Sequence, residues 1–327
     1  MEKRERVYAA LEGQVVDQVP LTLWQHFYKQ EQTPTSLASA TLAFYDRYNL
    51  DLIKLTPSPF YGIEDWGAEI VSPKSDDQPP TLKRHVINKP EDWRHLTTLN
   101  PRAGRYGQAL ETIHLLADQL GEADAPFLMT LYSPLTLAYQ LAGENLLDHM
   151  QSTPTEVHIG LATIAETTSR FAAAVIEAGA DGIFFKSTLS QRDLVSEELC
   201  EAFIVRYDLI ALERVKIQPI PLILHLSGQN LYFETINQYP VHAISWSQQP
   251  TNPTLEQALT LTDKTLMTGP NHDLAEANGQ AELTSQLEQM ITTTHGKRLI
   301  LALDQDFIQT CAEDILQTVA SVNRGAT

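Results

Sequence analysis

The sequence predicts an α/β protein built as one (β/α)8 TIM barrel, with a β-hairpin inserted after the second barrel strand. Two observations predict this fold: eight short apolar runs alternate with helical patterns along the 327 residues, and no glycine-rich phosphate-binding loop follows any of the runs. Eight such alternations fit a closed barrel better than a doubly wound open sheet. No Pro-, Gly- or Ser-rich linker interrupts the pattern, so residues 1–327 are predicted to form a single domain.

The apolar runs predict the barrel strands. Each is too short for a helix and apolar on both faces, which is typical of parallel strands in a sheet that is covered on both sides. In chain order they are residues 19–24, 51–56, 126–132, 182–187, 221–226, 242–247, 265–269 and 299–304.

Helical patterns fill most of the gaps between these runs, as a barrel requires. Residues 62–95 differ, because two polar alternating segments flank a Ser/Asp/Pro turn, and we expect a hairpin there. The predicted helices are residues 36–49, 104–121, 155–179, 196–215, 255–263 and 281–294.

Charge and cysteine content narrow the classes of partner. Asp and Glu outnumber Lys and Arg by 41 to 23, so the net charge is −18, which disfavours nucleic acids and anionic membranes as partners. The two cysteines lie far apart and have no metal-type spacing, and the N-terminus has no secretory signal pattern. We expect a cytoplasmic protein that does not bind nucleic acid or enter a membrane, and the sequence allows a homodimer.

Candidate functional residues follow the predicted strands, because active sites of such barrels lie at the carboxyl ends of the strands. Those we select for substrate binding are Gln25, His26, Lys29, Lys54, Tyr132, Lys186, Trp246 and Asn271, and those we select for catalysis are His225 and Asp304.

Lys54 and Lys186 interrupt apolar strands, where an isolated ammonium group is costly to bury. They could extend to the barrel rim or pair with a nearby Asp or Glu. They could instead bind substrate carboxylates, or one of them could form a Schiff base. His225 is similarly open to two interpretations, a hydrogen-bonded core residue or a ligand-binding group at a strand end.

The order of several motifs resembles the uroporphyrinogen decarboxylase superfamily, which includes corrinoid-linked methyltransferases and is related to cobalamin-independent methionine synthase. The motifs are RVYAALEG and DQVPLTLW near the N-terminus, DLIKLTPSPFYGIEDWGAEI, YSPLTLAYQLAG, EAGADGIFF, LILHLSGQN, TGPNHD and LILALDQDFIQTCAEDI. The resemblance covers nearly the whole chain and implies a (β/α)8 barrel with a deep cleft at its carboxyl face.

Two departures from the resemblance bear on function. The decarboxylases carry two arginines after the first strand, whereas the matching residues here are Gln25 and Lys29, which disfavours porphyrinogen as the substrate. The methyltransferases bind zinc through a His-x-Cys pair and a distant Cys, and the matching residues here are His225, Ser227 and Asp304. A hydroxyl and a carboxylate in place of two thiolates predict the loss of thiolate-type zinc binding.

Our leading hypothesis is an enzyme that performs acid–base chemistry on a small carboxylated substrate or a tetrapyrrole-like ligand. His225 and Asp304 would transfer protons, with the carboxylate raising the pKa of the imidazole, and no cofactor would be required. The resemblance also leaves room for a weakly held divalent metal or a corrinoid. The alternatives are a corrinoid-linked methyltransferase with an altered metal site, a non-catalytic tetrapyrrole or corrinoid carrier, and authentic uroporphyrinogen decarboxylation.

Overall fold

In the computed structural model, eight parallel strands form one continuous sheet within the described part of the chain, residues 1–121, 124–271, 273 and 279–303. Barrel strands that follow one another along the chain pair side by side, and the last strand pairs with the first. The first and second strands do not pair with each other, so the sheet curls into a nearly closed barrel. All eight predicted strands are confirmed. They are β1 (Leu21–Leu23), β2 (Ile53–Leu55), β5 (Phe127–Tyr132), β6 (Gly182–Ser187), β7 (Leu222–Leu226), β8 (Ala243–Ser245), β9 (Thr265–Thr268) and β10 (Leu299–Leu303), where β3 and β4 are the hairpin strands Glu69–Val71 and Thr81–Arg84.

A buried carboxylate joins the two end strands, β1 and β2. The backbone N–H of Asp51 donates to the carbonyl oxygen of Leu21 at 2.9 Å, and the backbone N–H of Leu21 donates to Oδ2 of Asp51 at 3.0 Å. Nη1 of Arg6 donates to the other carboxylate oxygen, Oδ1, at 2.6 Å. The side chain of Asp51 therefore takes part in closing the barrel, and Arg6 compensates its charge.

The N-terminal helix Lys3–Leu11 closes the amino-terminal end of the barrel. Its residues Val7 and Ala10 are buried against interior residues such as Ile223 and Ile300. The hydroxyl of Thr265 also donates to the carbonyl oxygen of Ala10 at 2.8 Å. Because this end is filled by apolar packing, the carboxyl end is the one left for a binding site.

Side chains alternate between the barrel interior and the outer helical layer, as they do along any strand. Leu52, Phe184 and Ile223 belong to an apolar interior cluster. Two residues further along the same strands lie Lys54, Lys186 and His225. The alternation therefore places the two lysines and the histidine on the inward face, one layer nearer the carboxyl ends.

The predicted hairpin after β2 is confirmed, with β3 and β4 antiparallel and a register shift at Glu69/Ile70. The segment that follows is anchored by Trp93, which is fully buried and whose Nε1 donates to Nδ1 of His149 at 3.1 Å. The hairpin segment is therefore held against the outer helices.

The outer layer contains the predicted helices together with short ones that the sequence patterns missed. Helix Pro154–Glu177 is long and apolar enough to cross a membrane by composition alone, but most of it is buried against the rest of the protein. The predicted helix 196–215 is divided by a π-helical segment, Cys200–Val205. The other helices are Pro34–Tyr48, Tyr61–Glu64, Gly104–Ala117, Pro134–Ala142, Asn145–Ser152, Glu197–Leu199, Arg206–Leu212, Leu255–Leu261 and Gln280–Thr294.

Candidate functional site

A cavity of about 580 Å³ lies at the carboxyl ends of the barrel strands, with a volume in the range of small-molecule sites. Its lining combines aromatic and basic groups with neutral hydroxyl and amide groups. The aromatic and basic residues are Trp24, His26, Tyr28, Lys54, Lys186 and His225, and the neutral ones include Ser227, Ser245, Ser247, Gln248, Gln249 and Asn271, with Asp273 at the lining as well.

Lys54 is buried among aromatic rings at the base of this cavity. Its Nζ lies 4.8 Å from the ring centre of Phe184 and 5.1 Å from that of Trp24. Nζ also donates to the hydroxyl of Thr56 at 3.2 Å. The faces of two aromatic rings attract the ammonium group, which offsets part of the cost of its burial.

Lys186 and His225 lie side by side, because they are register partners on the adjacent strands β6 and β7. The next partner across the sheet is Ser245 on β8, whose hydroxyl lies 3.0 Å from Nδ1 of His225. The ring of His225 packs at a centroid distance of 5.1 Å from Phe184. The geometry fixes the imidazole and engages Nδ1, so a ligand of His225 would meet Nε2.

The pKa of His225 lies well below its ordinary value, because burial disfavours the charged ring and the ammonium groups of Lys186 and Lys54 repel it. We predicted that the carboxylate of Asp304 raises this pKa, but Asp304 lies outside the described residues, so that expectation stays a prediction. The described surroundings of His225 favour its neutral ring.

Two of the residues that we matched to the zinc ligands of the methyltransferase branch, His225 and Ser227, line the cavity, and the third, Asp304, lies outside the described residues. Ser227 lines the cavity with a hydroxyl, and Lys186 and Lys54 bring positive charge to His225. Among the described residues, no group of three His, Cys, Asp or Glu side chains is placed to hold a metal ion. A divalent cation beside two ammonium groups would be repelled, so we assign no step of a reaction to a metal.

The other predicted residues divide between the cavity and its surroundings. His26, Trp246 and Asn271 line the cavity, and Trp246 is fixed by donation from Nε1 to the carbonyl oxygen of Pro253 at 2.9 Å. Three others are not among the lining residues. Gln25 is half-buried, Lys29 is exposed, and Tyr132 is buried beside Tyr61, with burial raising the pKa of Tyr132 well above its ordinary value.

Several lining residues escaped the sequence analysis, as did one buried residue behind the lining, Glu31. Its carboxylate oxygen Oε1 lies 2.7 Å from Nδ1 of His26. Glu31 follows the first strand by eight residues and lies in the short 3-10 helix Gln30–Gln32, so counting strand ends could not find it. The one signal in the sequence that could have indicated Glu31 is that it is a glutamate five residues after the candidate histidine His26.

Comparisons with known proteins converge on one family. The model of the family described as uroporphyrinogen decarboxylase (URO-D) matches residues 2–324. A methylcobamide:CoM methyltransferase MtbA from Methanosarcina acetivorans is 25% identical over 69% of this chain and 70% of its own length. The protein of the same name from Methanosarcina mazei is 23% identical over 75% of this chain and 76% of its own length.

Solved structures share the fold. A methyltransferase from Methanosarcina mazei superposes with a TM-score of 0.85 at 17% identity, covering 99% of both chains. A B12-independent methionine synthase from Shewanella sp. W3-18-1, in complex with selenomethionine, gives a TM-score of 0.57 at 13% identity, covering 94% of this chain and 92% of that one. At these identities the likeness shows a common architecture.

Proposed function

The chain belongs to the uroporphyrinogen decarboxylase (URO-D) family, and from this premise we propose that it is a methyltransferase that moves a methyl group from a corrinoid donor to a small anionic acceptor. Two relatives named methylcobamide:CoM methyltransferase support this class of reaction. They favour methyl transfer over our leading hypothesis of acid–base chemistry on a carboxylated substrate. Both hypotheses share the expectation of an anionic ligand.

The observation that carries the proposal is the pair of lysines beside a neutral histidine. Lys54 and Lys186 line the same cavity, and both act electrostatically on His225. A hydrogen bond from an ammonium group to a sulfonate or carboxylate contributes about 1.5–3 kcal/mol. The two lysines would hold the anionic end of the acceptor and His225 would bind it as a neutral partner.

Neutral polar groups of the cavity support the same assignment. Ser227, Ser245 and Gln248 line it with uncharged groups, whereas Lys54 and Lys186 carry positive charge. An acceptor with one anionic end would place that end at the lysines, which favours the single orientation that a methyl-transfer reaction requires.

Methyl transfer from methylcobalamin tests the proposal directly. Purified protein is mixed with methylcobalamin and with 2-mercaptoethanesulfonate, a thiol that carries a sulfonate, and loss of the methyl–cobalt absorbance is followed. A matched thiol without the anion, 2-mercaptoethanol, should react with a kcat/KM at least about 10-fold lower, because one charge-assisted contact corresponds to a factor of ten or more.

Variants then attribute the selectivity to the cavity. Lys54→Met and Lys186→Gln should each raise KM for the sulfonate thiol about 10-fold or more and leave the reaction of 2-mercaptoethanol nearly unchanged. Lys83→Met is the matched control, because Lys83 lies on β4 and its side chain is 67% exposed. Absence of methyl transfer to either thiol would refute the proposal, and binding of methylcobalamin without turnover would favour the carrier hypothesis instead.

A further inference from the structure

The first strand delivers a second histidine to the cavity, and this histidine has a carboxylate partner. Nδ1 of His26 lies 2.7 Å from Oε1 of Glu31, and the ring of His26 stacks on Tyr28 with centroids 5.1 Å apart and an interplanar angle of 10°. His26 and Tyr28 both line the cavity. We propose that His26 is the proton-accepting group of this cavity and that Glu31 is its positioning residue.

The carboxylate of Glu31 is held in a buried position, where a negative charge costs free energy. Its side chain is fully buried, and the backbone N–H of Phe27 donates to Oε1 at 3.0 Å. Within the described part of the chain, no group forms a hydrogen bond with the second oxygen, Oε2, which is buried. Such a carboxylate is tolerated when a positive charge develops close to it, and the imidazole of His26, whose Nδ1 lies 2.7 Å from Oε1, is placed to carry that charge.

The two histidines of the cavity therefore have opposite surroundings. His225 faces a serine hydroxyl and two ammonium groups, which oppose protonation of its ring. His26 faces a carboxylate, which stabilises the protonated ring and orients it through Nδ1. Proton exchange with a bound molecule would then use Nε2 of His26.

This assignment rests on the proposed methyl transfer. It names the group that takes the proton from the acceptor, a step that no thiolate-bound metal is available to assist in the described part of the chain. The bond between hydrogen and the nucleophilic atom of the acceptor breaks, and the proton passes to Nε2 of His26. The released electron pair forms the new bond to the methyl carbon, while the pair of the broken methyl bond remains with the corrinoid donor. Glu31 balances the charge that His26 gains.

Other titratable groups surround the pair and must be considered in any pH measurement. Tyr28 stacks on His26, and Tyr132 lies close enough to Glu31 for the carboxylate to help raise the pKa of its hydroxyl. Across the same cavity lie Lys54, Lys186, His225 and Asp273.

The kinetic test uses the full-length protein with methylcobalamin and 2-mercaptoethanesulfonate. His26→Ala should lower kcat by about 10²-fold or more with little change in KM, and added imidazole should restore part of the rate. Glu31→Gln keeps the size of the side chain and removes its charge, so kcat should fall about 10-fold or more with little change in KM, because the ring of His26 loses the carboxylate that orients it. Absence of imidazole rescue in His26→Ala, or an unchanged kcat in Glu31→Gln, would overturn the assignment.

Glu64→Gln is the matched control. Glu64 lines the same small pocket of about 30 Å³ as Glu31, but its Oε2 accepts from Nε of Arg105 at 2.8 Å. We expect this variant to keep the kcat of the unmodified protein. A loss of kcat as large as that of Glu31→Gln would assign the effect to general loss of buried charge and would contradict the proposal.

A spectroscopic measurement separates this inference from the proposed function. With ¹⁵N-labelled histidine, the ring signals of His26 are identified by their loss in His26→Gln and followed against pH. The Nδ1 signal should move in Glu31→Gln and stay in place in Glu64→Gln, because the carboxylate that lies 2.7 Å from Nδ1 becomes a neutral amide. An Nδ1 signal that stays in place in Glu31→Gln refutes the role of Glu31, whether or not methyl transfer is detected. Failure of methyl transfer with the expected change in this signal would refute the proposed function and the catalytic role of His26, while Glu31 would remain its partner.

Discussion

Substitution of Asp51 by Asn should weaken the barrel at its seam, by which we mean the junction between β1 and β2. Asp51 is the residue through which β1 and β2 are joined, and it forms a buried ion pair with Arg6, with side chains 4% and 9% exposed. Asn preserves the size of the side chain and an oxygen that can accept from the N–H of Leu21. The variant therefore removes the charge and leaves the shape of the seam.

The expected loss of stability depends on the partners that Arg6 keeps after the substitution. Removing one partner of a buried pair costs about 3–5 kcal/mol when the other charge is left alone. Arg6 retains a partner, because Nε and Nη2 donate to Asp17 at 2.7 and 2.8 Å. The loss should therefore be closer to that of one hydrogen bond between charged groups, about 2–3 kcal/mol in the free energy of unfolding.

Thermal unfolding followed by circular dichroism measures this loss. With a typical unfolding entropy of about 0.7 kcal/mol/K for a chain of this length, Asp51→Asn should lower Tm by ~3–4 °C. Glu213→Gln is the control, because its pair with Lys216 joins side chains that are 62% and 40% exposed, and a surface pair contributes about 0–1 kcal/mol. If Asp51→Asn unfolds within about 1 °C of the unmodified protein, or no lower than Glu213→Gln, the seam does not depend on this carboxylate.

Three further predictions concern buried groups outside the seam. Because burial and the two lysines hold the pKa of His225 well below 6.5, the unfolded chain binds more protons than the native one as pH falls through that value. The free energy of unfolding should therefore fall from pH 7 to pH 5. Urea titrations of His225→Gln should show a smaller fall, and an equal fall in both proteins would contradict the lowered pKa. Burial raises the pKa of Asp208 well above 3.8, so the native state holds a proton that the unfolded state loses, and stability should fall as pH rises from about 4. Asp208→Asn should reduce that fall, and an unchanged dependence on pH would show that Asp208 is ionised in the native state. Gly160→Ala should destabilise by about 1–3 kcal/mol, although alanine is the better helix former, since the added Cβ would lie 2.5 Å from Cε3 of Trp93. A rise in Tm for that variant would mean that Trp93 moves aside at little cost.

The strands were predictable because their signal is local. A run such as residues 182–187 is apolar, short and bounded by helical patterns, and the observed strand Gly182–Ser187 has the same bounds. Helix Pro134–Ala142 was missed, because it follows its strand after a single residue and is nearly as apolar as the strand itself. The π-helical segment that divides the predicted helix 196–215 was also missed, because the apolar periodicity of the sequence does not change there.

The site was predictable to the extent that strand ends define it. Lys54, Lys186 and His225 were identified because polar residues interrupt apolar strands, and parallel strands bring their carboxyl ends to one face. Lys29 and Gln25 were chosen by the same counting and do not line the cavity. Trp24, His26 and Tyr28 line it at alternating positions, which leaves Gln25 between them, and Lys29 is the exposed residue before the 3-10 helix Gln30–Gln32. Counting residues along the chain could not distinguish these positions.

By itself, the sequence determined the barrel, its hairpin insertion and the family, since these depend on the order of residues along the chain. Only the tertiary structure decided the electrostatic state of the site. The pKa of His225 depends on two lysines that are 39 and 171 residues away in the chain, and the partner of His26 is a buried glutamate outside any strand end. Charges act through space over a few ångströms, so the surroundings of the two histidines follow from folding and not from their spacing in sequence.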